Sequence, residues 1–209
     1  MAQLLPFLLL LGFAQLWDAR LLPWYTDDYD YLNQVRRLYE NIWFIFSPDL
    51  VSSGRPTTSL FFFLFHSIWG ETQVPYHLGL IFFHITTVWV LAWSLNRIGY
   101  TTQLAMITGV LLLFNVSRYE VAYWLSYFSY LGCMTFGCLS IVAYNKFVFR
   151  DDPKSLHLAS FLILISASFH AGAVGFAFLA SYFSYRQGLD WKKVTCPPRM
   201  FPVLELGYG

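Results

Sequence analysis

The chain has 209 residues and a formal net charge of +1; 57% of its residues are hydrophobic, 21% are aromatic and only 12% are charged. Soluble proteins average about 45–50% apolar and about 25% charged residues, so this composition excludes an ordinary soluble domain and indicates a polytopic membrane protein. The near-zero net charge excludes a bulk electrostatic attraction for nucleic acid or another polyanion.

The first apolar run, residues 4–17, predicts a membrane helix. It lacks a preceding basic segment and a small-x-small cleavage site, so we expect a retained helix rather than a signal peptide. The hydrophilic interval 18–56 follows, and within it the apolar residues of 31–46 recur at helical spacing. This pattern predicts an amphipathic helix lying in the membrane interface. The recurring residues are Leu32, Val35, Leu38, Ile42 and Phe46.

Later apolar runs lie at residues 57–69, 76–95, 103–116, 122–145 and 156–184. A membrane span needs about 20 apolar residues. The run 57–69 would form about 20 Å of helix against about 30 Å of hydrocarbon, so we expect a short helix that does not cross the bilayer. The run 156–184 is interrupted at His170, Gly172 and Gly175, which favours a broken pair of short helices.

Together these runs predict an all-α polytopic membrane protein: a bundle of about five to seven membrane helices, some short or broken, with an interfacial amphipathic helix after the first span. Residues 1–185 would form this membrane domain, with 18–56 as its extracytoplasmic loop. Residues 186–209 would form a short polar tail.

The stretch "WYTDDYDYL", residues 24–32, places Asp27, Asp28 and Asp30 close together in a chain that is poor in charge. One interpretation is helix capping, because acids in a first turn interact favourably with the positive end of the helix dipole. A single acid would suffice for that. The other interpretation is a carboxylate cluster at the membrane surface that acts as a general base or binds a divalent cation.

Five segments carry a family resemblance, in this order: "TDDYDYL", "SGRPTTSLFFFLFHSIWG", "VPYHLGLIFFH", "RYEVAYW" and "LILISASFHAGAVGFAFLASY". Over about residues 4–185 the chain thereby resembles the GT-C superfamily of membrane glycosyltransferases, in the branch of the protein O-mannosyltransferases and other polyprenyl-phosphate-sugar-dependent enzymes. Leu80 replaces a common Asn, Phe128 lies near a usual Arg, and His170 replaces the usual acid. Family members continue through several more membrane helices, so the resemblance implies an N-terminal portion.

The resemblance implies an integral-membrane enzyme that transfers a hexosyl or pentosyl group from a polyprenyl phosphate to a lipid, glycan or protein acceptor. The reaction is an inverting displacement at the anomeric carbon. A carboxylate would remove the proton of the acceptor hydroxyl, and a cation would stabilise the phosphate leaving group. Asp27 is the first choice for general base, and Asp28 would be its partner. Asp28 and Asp30 could instead hold a divalent cation, Mg²⁺ or Mn²⁺.

Four further residues are carried over as substrate-binding residues. Arg55, at the start of an apolar segment, would bind phosphate; the alternative is an interfacial arginine that snorkels. Glu120 lies among apolar runs, where an ionisable residue is a functional candidate by default, although an ion pair with Arg118 would also explain it. His77 and His84 lie on one helix face, where hydrogen bonding within the bundle is the simpler account and metal binding would need a third ligand.

The expected partners are a polyprenyl-phosphate-linked sugar and the lipid bilayer, with no nucleic acid. The protein would be multi-pass in a plasma or ER-type membrane, with its active face extracytoplasmic. Two other functions stay open: a non-catalytic membrane subunit or truncated paralogue, and a transporter fragment. A transporter predicts charges at mid-span on several helices, whereas the charges here cluster at the ends of apolar runs.

Overall fold

A computed structural model of the protein describes residues 4–24, 26–47, 55–114, 124–150 and 152–186. All regular structure in these ranges is helical, which confirms the all-α class. The α-helices are α1 (Leu4–Leu16), α2 (Thr26–Glu40), α3 (Pro56–Trp69), α4 (Gln73–Arg97), α5 (Thr102–Leu113), α6 (Phe128–Arg150), α7 (Pro153–Phe169) and α8 (Val174–Arg186). Short 3₁₀ turns lie at Trp17–Leu21, Ile42–Phe46, Leu125–Tyr127 and Ala171–Ala173.

Within the described ranges, two helices are long and apolar enough to cross a membrane: α4, with 25 residues, and α6 with its preceding turn, with 26 residues. At 1.5 Å per residue each is about 37–39 Å long, which exceeds the hydrocarbon thickness of about 30 Å. Length and composition alone are weak support for membrane insertion, because the core helix of a soluble protein can pass the same test.

The helix α4 is central, and α1 and α5 pack on one of its sides. Gly12 of α1 lies against Ile85, where a Cβ would come within 2.6 Å of the isoleucine side chain. Gly109 of α5 lies against Ala92. The missing side chains let these helices approach closely, as is common where helices pack within membranes. Leu8, Ile81, Ile85, Val88 and Leu113 are among the buried residues of this cluster.

On its other side α4 packs against α6, and the two helices run in the same direction. Phe83 contacts Phe128 (ring centroids 4.5 Å apart), and further along both helices Thr87 shares a hydrogen bond with Thr135 (2.8 Å), about one turn on in α4 and two turns on in α6. The first residues of α4 and α6 therefore lie at the same end of the bundle.

Helix α7 returns antiparallel to α6, and α8 turns back again. Gly132 lies against Phe169 at the end of α7, and Gly137 lies against Phe176 in α8. Between the two helices, His170 has an extended backbone (φ −161°, ψ 143°) and its Nδ1 accepts a hydrogen bond from the Gly172 N–H. The prediction of a broken pair in the run 156–184 is confirmed.

Helices α2 and α3 pack together at the end of the bundle where α4 and α6 begin. The ring of Tyr31 stacks on Phe62, and the Tyr39 hydroxyl donates a hydrogen bond to Ser67 Oγ (3.0 Å). We call this the site end; it also holds the last residues of α7. The opposite, far end holds the end of α4, the connection from α6 to α7 and the start of α5.

The structure contains an amphipathic helix in this interval, as predicted, but the predicted C-terminal end of that helix is wrong. Helix α2 ends at Glu40, and Asn41 takes an extended conformation whose side chain accepts a hydrogen bond from the Trp43 N–H. By accepting this hydrogen bond, the Asn41 side chain takes a backbone N–H that a continuing helix would use. Ile42 and Phe46 therefore belong to the next turn and are exposed, while Val35 and Leu38 are buried within the protein.

Candidate functional site

The two adjacent aspartates of α2 occupy its first turn and differ sharply in exposure. Asp28 is completely buried, and its Oδ1 accepts a hydrogen bond from the Ser126 backbone N–H (3.1 Å) at the turn that leads into α6. Asp28, Tyr31, Val35 and Leu38 recur at helical spacing and form the buried face of α2. The carboxylate thus caps a helix, but not the helix to which it belongs.

Asp27 is only partly buried, in contrast to Asp28. Asp27 and Asp28 both act electrostatically on the hydroxyl of Tyr31, one turn further along α2. Because residues three and four apart share a helix face, this phenol lies beside both carboxylates. The α2 helix therefore presents one accessible acid next to one buried acid.

Arg55 joins this site from another segment. It precedes α3, and its guanidinium lies within hydrogen-bonding reach of the Tyr31 hydroxyl. The same guanidinium lies over the ring of Tyr130 in α6, 5.4 Å from the ring centroid. The structure thus brings the predicted cation to the two predicted catalytic acids, with Tyr31 between them.

Tyr31, Tyr130 and His170 were not predicted as site residues, although the first two hold Arg55 and the third lies beside it. The rings of Tyr130 and His170 are 4.2 Å apart, centroid to centroid. The Gly172 N–H donates to His170 Nδ1 (3.0 Å), which leaves Nε2 as the protonated nitrogen of the neutral ring. A signal for Tyr31 was present in the sequence, since it follows Asp27 by one helical turn.

Burial and charge shift two of these groups in opposite directions. Burial raises the pKa of the Tyr31 phenol, and the neighbouring Arg55 guanidinium partly opposes that rise. Burial also lowers the pKa of His170, and the positive charge of Arg55 adds to that effect. Both shifts favour neutral side chains around the guanidinium. Arg55 is then the fixed positive charge of the arrangement.

Asp30 does not join the acidic pair. Two residues along a helix correspond to a rotation of about 200°, so Asp28 and Asp30 point to different sides of α2. Asp28 is buried and Asp30 is exposed. Within the ranges that the structure describes, no group of three or more His, Cys, Asp and Glu residues is placed to hold a metal ion. The predicted Mg²⁺ or Mn²⁺ role for this pair therefore lacks a shared chelating face.

His77 and His84 lie on one face of α4, as predicted, and both are buried. At 1.5 Å per residue they are about 10 Å apart along the helix axis, which is too far to bind one metal ion together. Both rings lie on the packed face of α4, and the simpler account given for them, hydrogen bonding within the bundle, stays a prediction. Glu120 and Arg118 lie outside the described residues.

No family model, curated protein or solved structure matches this chain. An accessible carboxylate can take a proton from a hydroxyl, and a guanidinium held by two phenol rings can bind an oxyanion. Proton removal and anion binding can thus occur in one place, at the end of the two longest apolar helices.

Proposed function

We propose that this protein is an integral-membrane glycosyltransferase that moves a sugar from a polyprenyl-phosphate donor to a hydroxyl acceptor. One observation carries the proposal: Asp27, Asp28 and Arg55, which were selected from the resemblance, converge on the hydroxyl of Tyr31. An inverting displacement requires a base at the acceptor and a cation at the phosphate, and these residues supply both groups.

In this proposal Asp27 is the general base, because it is the accessible member of the acidic pair. Asp28 fixes the start of α2 against the start of α6 through its hydrogen bond to Ser126. Arg55 binds the phosphate of the donor and stabilises the charge that develops on the leaving group. Glu120 keeps the substrate-binding role that the resemblance implies, whereas His77 and His84 are buried in the bundle and receive no substrate role in this proposal. No metal role is assigned to Asp28 and Asp30, because they face different sides of α2.

The proposed topology is multi-pass, in a plasma or ER-type membrane, with the site end extracytoplasmic. Four basic side chains lie at the far end, where cytoplasmic loops are expected to be rich in Lys and Arg, while the site end holds Arg36, Arg37 and Arg55. The four far-end residues are Arg97 at the end of α4, Lys146 and Arg150 at the end of α6, and Lys154 at the start of α7. Short helices such as α1, α5, α7 and α8 would complete the bundle of five to seven membrane helices, with the bilayer thinned locally.

The helix α3 is proposed to lie at the outer surface rather than to cross. It has 14 residues, about 21 Å of helix against about 30 Å of hydrocarbon. It contacts the amphipathic helix α2 over much of its length, from Ser59, whose Oγ donates to Gln34, to Ser67, whose Oγ accepts from Tyr39. Because α3 packs along α2, and α2 is proposed to lie in the membrane interface, α3 should lie at the same depth in the bilayer.

The proposal is tested by sugar transfer in membranes that contain the full-length gene product. Asp27→Asn removes the base, so we expect turnover to fall by about 10²-fold or more with expression unchanged. Asp18→Asn is the matched control, because this carboxylate is 98% exposed and its loss should leave turnover intact. Unchanged turnover in Asp27→Asn would reject the base role. No transfer by the unmodified protein would favour a non-catalytic subunit.

The donor class is tested separately. The chain carries no glycine-rich phosphate loop between a strand and a helix, the arrangement that holds a nucleotide. We therefore expect labelled sugar to transfer from a polyprenyl-phosphate donor only. Transfer from a nucleotide sugar, in membranes that have been stripped of polyprenyl carriers, would refute this donor assignment.

A further inference from the structure

An exposed aromatic turn follows the amphipathic helix and has no role in the proposed chemistry. The 3₁₀ turn Ile42–Phe46 contains no buried residue. The exposed fraction is 72% for Trp43, 70% for Phe46 and 45% for Ile42. We call these three residues the aromatic wedge.

The wedge is held in a defined shape. The Asn41 side chain accepts a hydrogen bond from the Trp43 N–H (3.0 Å), and the Asn41 carbonyl accepts one from the Phe44 N–H (3.0 Å). The Ser47 N–H closes the turn onto the Phe44 carbonyl (2.9 Å). With these backbone groups paired inside the turn, the segment can enter an apolar environment without stranding most of its donors.

Positive charge lies directly beside the wedge. Arg36 and Arg37 are both exposed on the last turns of α2, and the Arg36 guanidinium lies 3.7 Å from the exposed Glu71 carboxylate. The Arg37 guanidinium lies over the ring of Phe44, 5.4 Å from its centroid, so its stem follows the apolar turn while its charge stays outside. Exposed aromatics next to arginines are the combination expected at the depth of lipid headgroups.

The position of the wedge beside the start of α4 indicates that lipid covers it. The wedge packs against α2 and α3 at the site end, where α4, one of the two helices long and apolar enough to cross a membrane, begins. A bilayer that surrounds α4 therefore reaches the level of this turn. We propose that the aromatic wedge inserts into the headgroup region of the leaflet at the site end, and that Arg36 and Arg37 bind lipid phosphates there. This inference does not depend on the glycosyltransferase proposal.

The insertion is tested with nitroxide labels in the full chain, after replacement of Cys133, Cys138 and Cys196. One label replaces Trp43, and the control label replaces Asn33, an exposed residue on the polar face of α2. The protein is reconstituted in phosphatidylcholine vesicles that contain phosphatidylserine. We expect the label at 43 to collide with dissolved oxygen more than with a water-soluble nickel chelate, at a depth of about 5–10 Å, and the label at 33 to behave as aqueous.

Two results would overturn the proposal. Equal access of the nickel chelate to positions 43 and 33 would place the wedge in water. Poor access of both reagents to position 43 would mean that protein, not lipid, covers it. The role of the two arginines is tested with the double variant Arg36→Gln/Arg37→Gln, which should bring the label at 43 closer to water. An unchanged depth in that variant would reject the role of the two arginines.

Discussion

Two aspartates cap helices at opposite ends of the bundle, and they reach those helices by different routes. Asp152 directly precedes α7, and its Oδ1 accepts a hydrogen bond from the Lys154 N–H (3.2 Å). Asp28 belongs to α2, and it caps the turn before α6 through Ser126, 98 residues further along the chain. Asp152 is partly exposed and pairs with Lys146, whereas Asp28 is fully buried.

Asp152 caps its helix through a local contact, whereas Asp28 caps a helix through a tertiary contact. A partly exposed cap keeps much of its hydration, so it forms wherever an aspartate precedes a helix start. A buried carboxylate loses its hydration, and this cost must be offset by polar contacts inside the protein. The far end of the bundle is therefore organised within single loops. The site end is assembled from distant segments, and Asp28 is one of the residues that join them.

The largest contrast between the two ends should be their accessibility in intact cells. In a background without Cys133, Cys138 and Cys196, single cysteines at Thr72 and Tyr119 should react with an impermeant thiol reagent applied from outside. A cysteine at Tyr100, just after α4, should be protected in the same assay. The reason is that a non-crossing α3 places the first two positions outside and the third inside.

Two results would contradict this topology. Protection of position 72 alone would restore a crossing by α3. Protection of position 119 would separate Glu120 from the aspartates and remove its proposed role. Permeabilised cells provide the control, because all three cysteines should then be labelled.

The next effect concerns two arginines that lie over aromatic rings. Arg55 lies over Tyr130 at the site end (5.4 Å), and Arg97 lies over Trp93 at the far end (5.3 Å). Arg55→Ala should lower transfer by about 10²-fold, the usual cost of losing a charged donor at a developing anion. Arg97→Ala removes the same kind of contact and should leave transfer unchanged. Equal losses in the two variants would indicate a structural effect rather than phosphate binding.

A smaller effect is expected from the buried cap. Asp28→Ala leaves the Ser126 N–H without its acceptor, so it should lower the free energy of unfolding by about 1–3 kcal/mol. Asp28→Asn keeps an acceptor oxygen and should cost less. Thermal unfolding in detergent measures both variants. If the Asn variant were as unstable as the Ala variant, the charge of Asp28 would matter more than its hydrogen bond to Ser126.

The local features of the fold could be predicted because they depend on neighbouring residues. The apolar run 76–95 gave α4, and the interruption at His170 gave the break between α7 and α8. The end of α2 was missed because the Asn41 side chain, which stops the helix, was counted inside an apolar stripe. The apolar spacing in the sequence continues past Asn41, but the helical backbone ends there.

The candidate site was only partly predictable. The acids and Arg55 were found by motif, yet their meeting at Tyr31 depends on how α2 packs on α3. Tyr130 and His170 come from segments far from α2 in sequence, and no local spacing connects them to Arg55. The separation of Asp28 from Asp30 follows from helix geometry, and it was missed because three nearby acids were treated as one cluster.

The smallest expected effect belongs to the exposed cap, and it should depend on pH. Hydrogen bonds from Ser155 and Lys146 hold the pKa of Asp152 at about 2, below its ordinary value of about 3.9. The charged carboxylate therefore stabilises the folded state above pH ~4, and this contribution is lost as the pH falls through about 2. In Asp152→Asn, the unfolding temperature should lie slightly below that of the unmodified protein by a constant amount between about pH 5 and 7, and the difference should shrink below about pH 4. Asp18→Asn, with a 98% exposed side chain, controls for the loss of one negative charge. A difference that stayed the same at every pH would mean that Asp152 caps α7 as well without its charge.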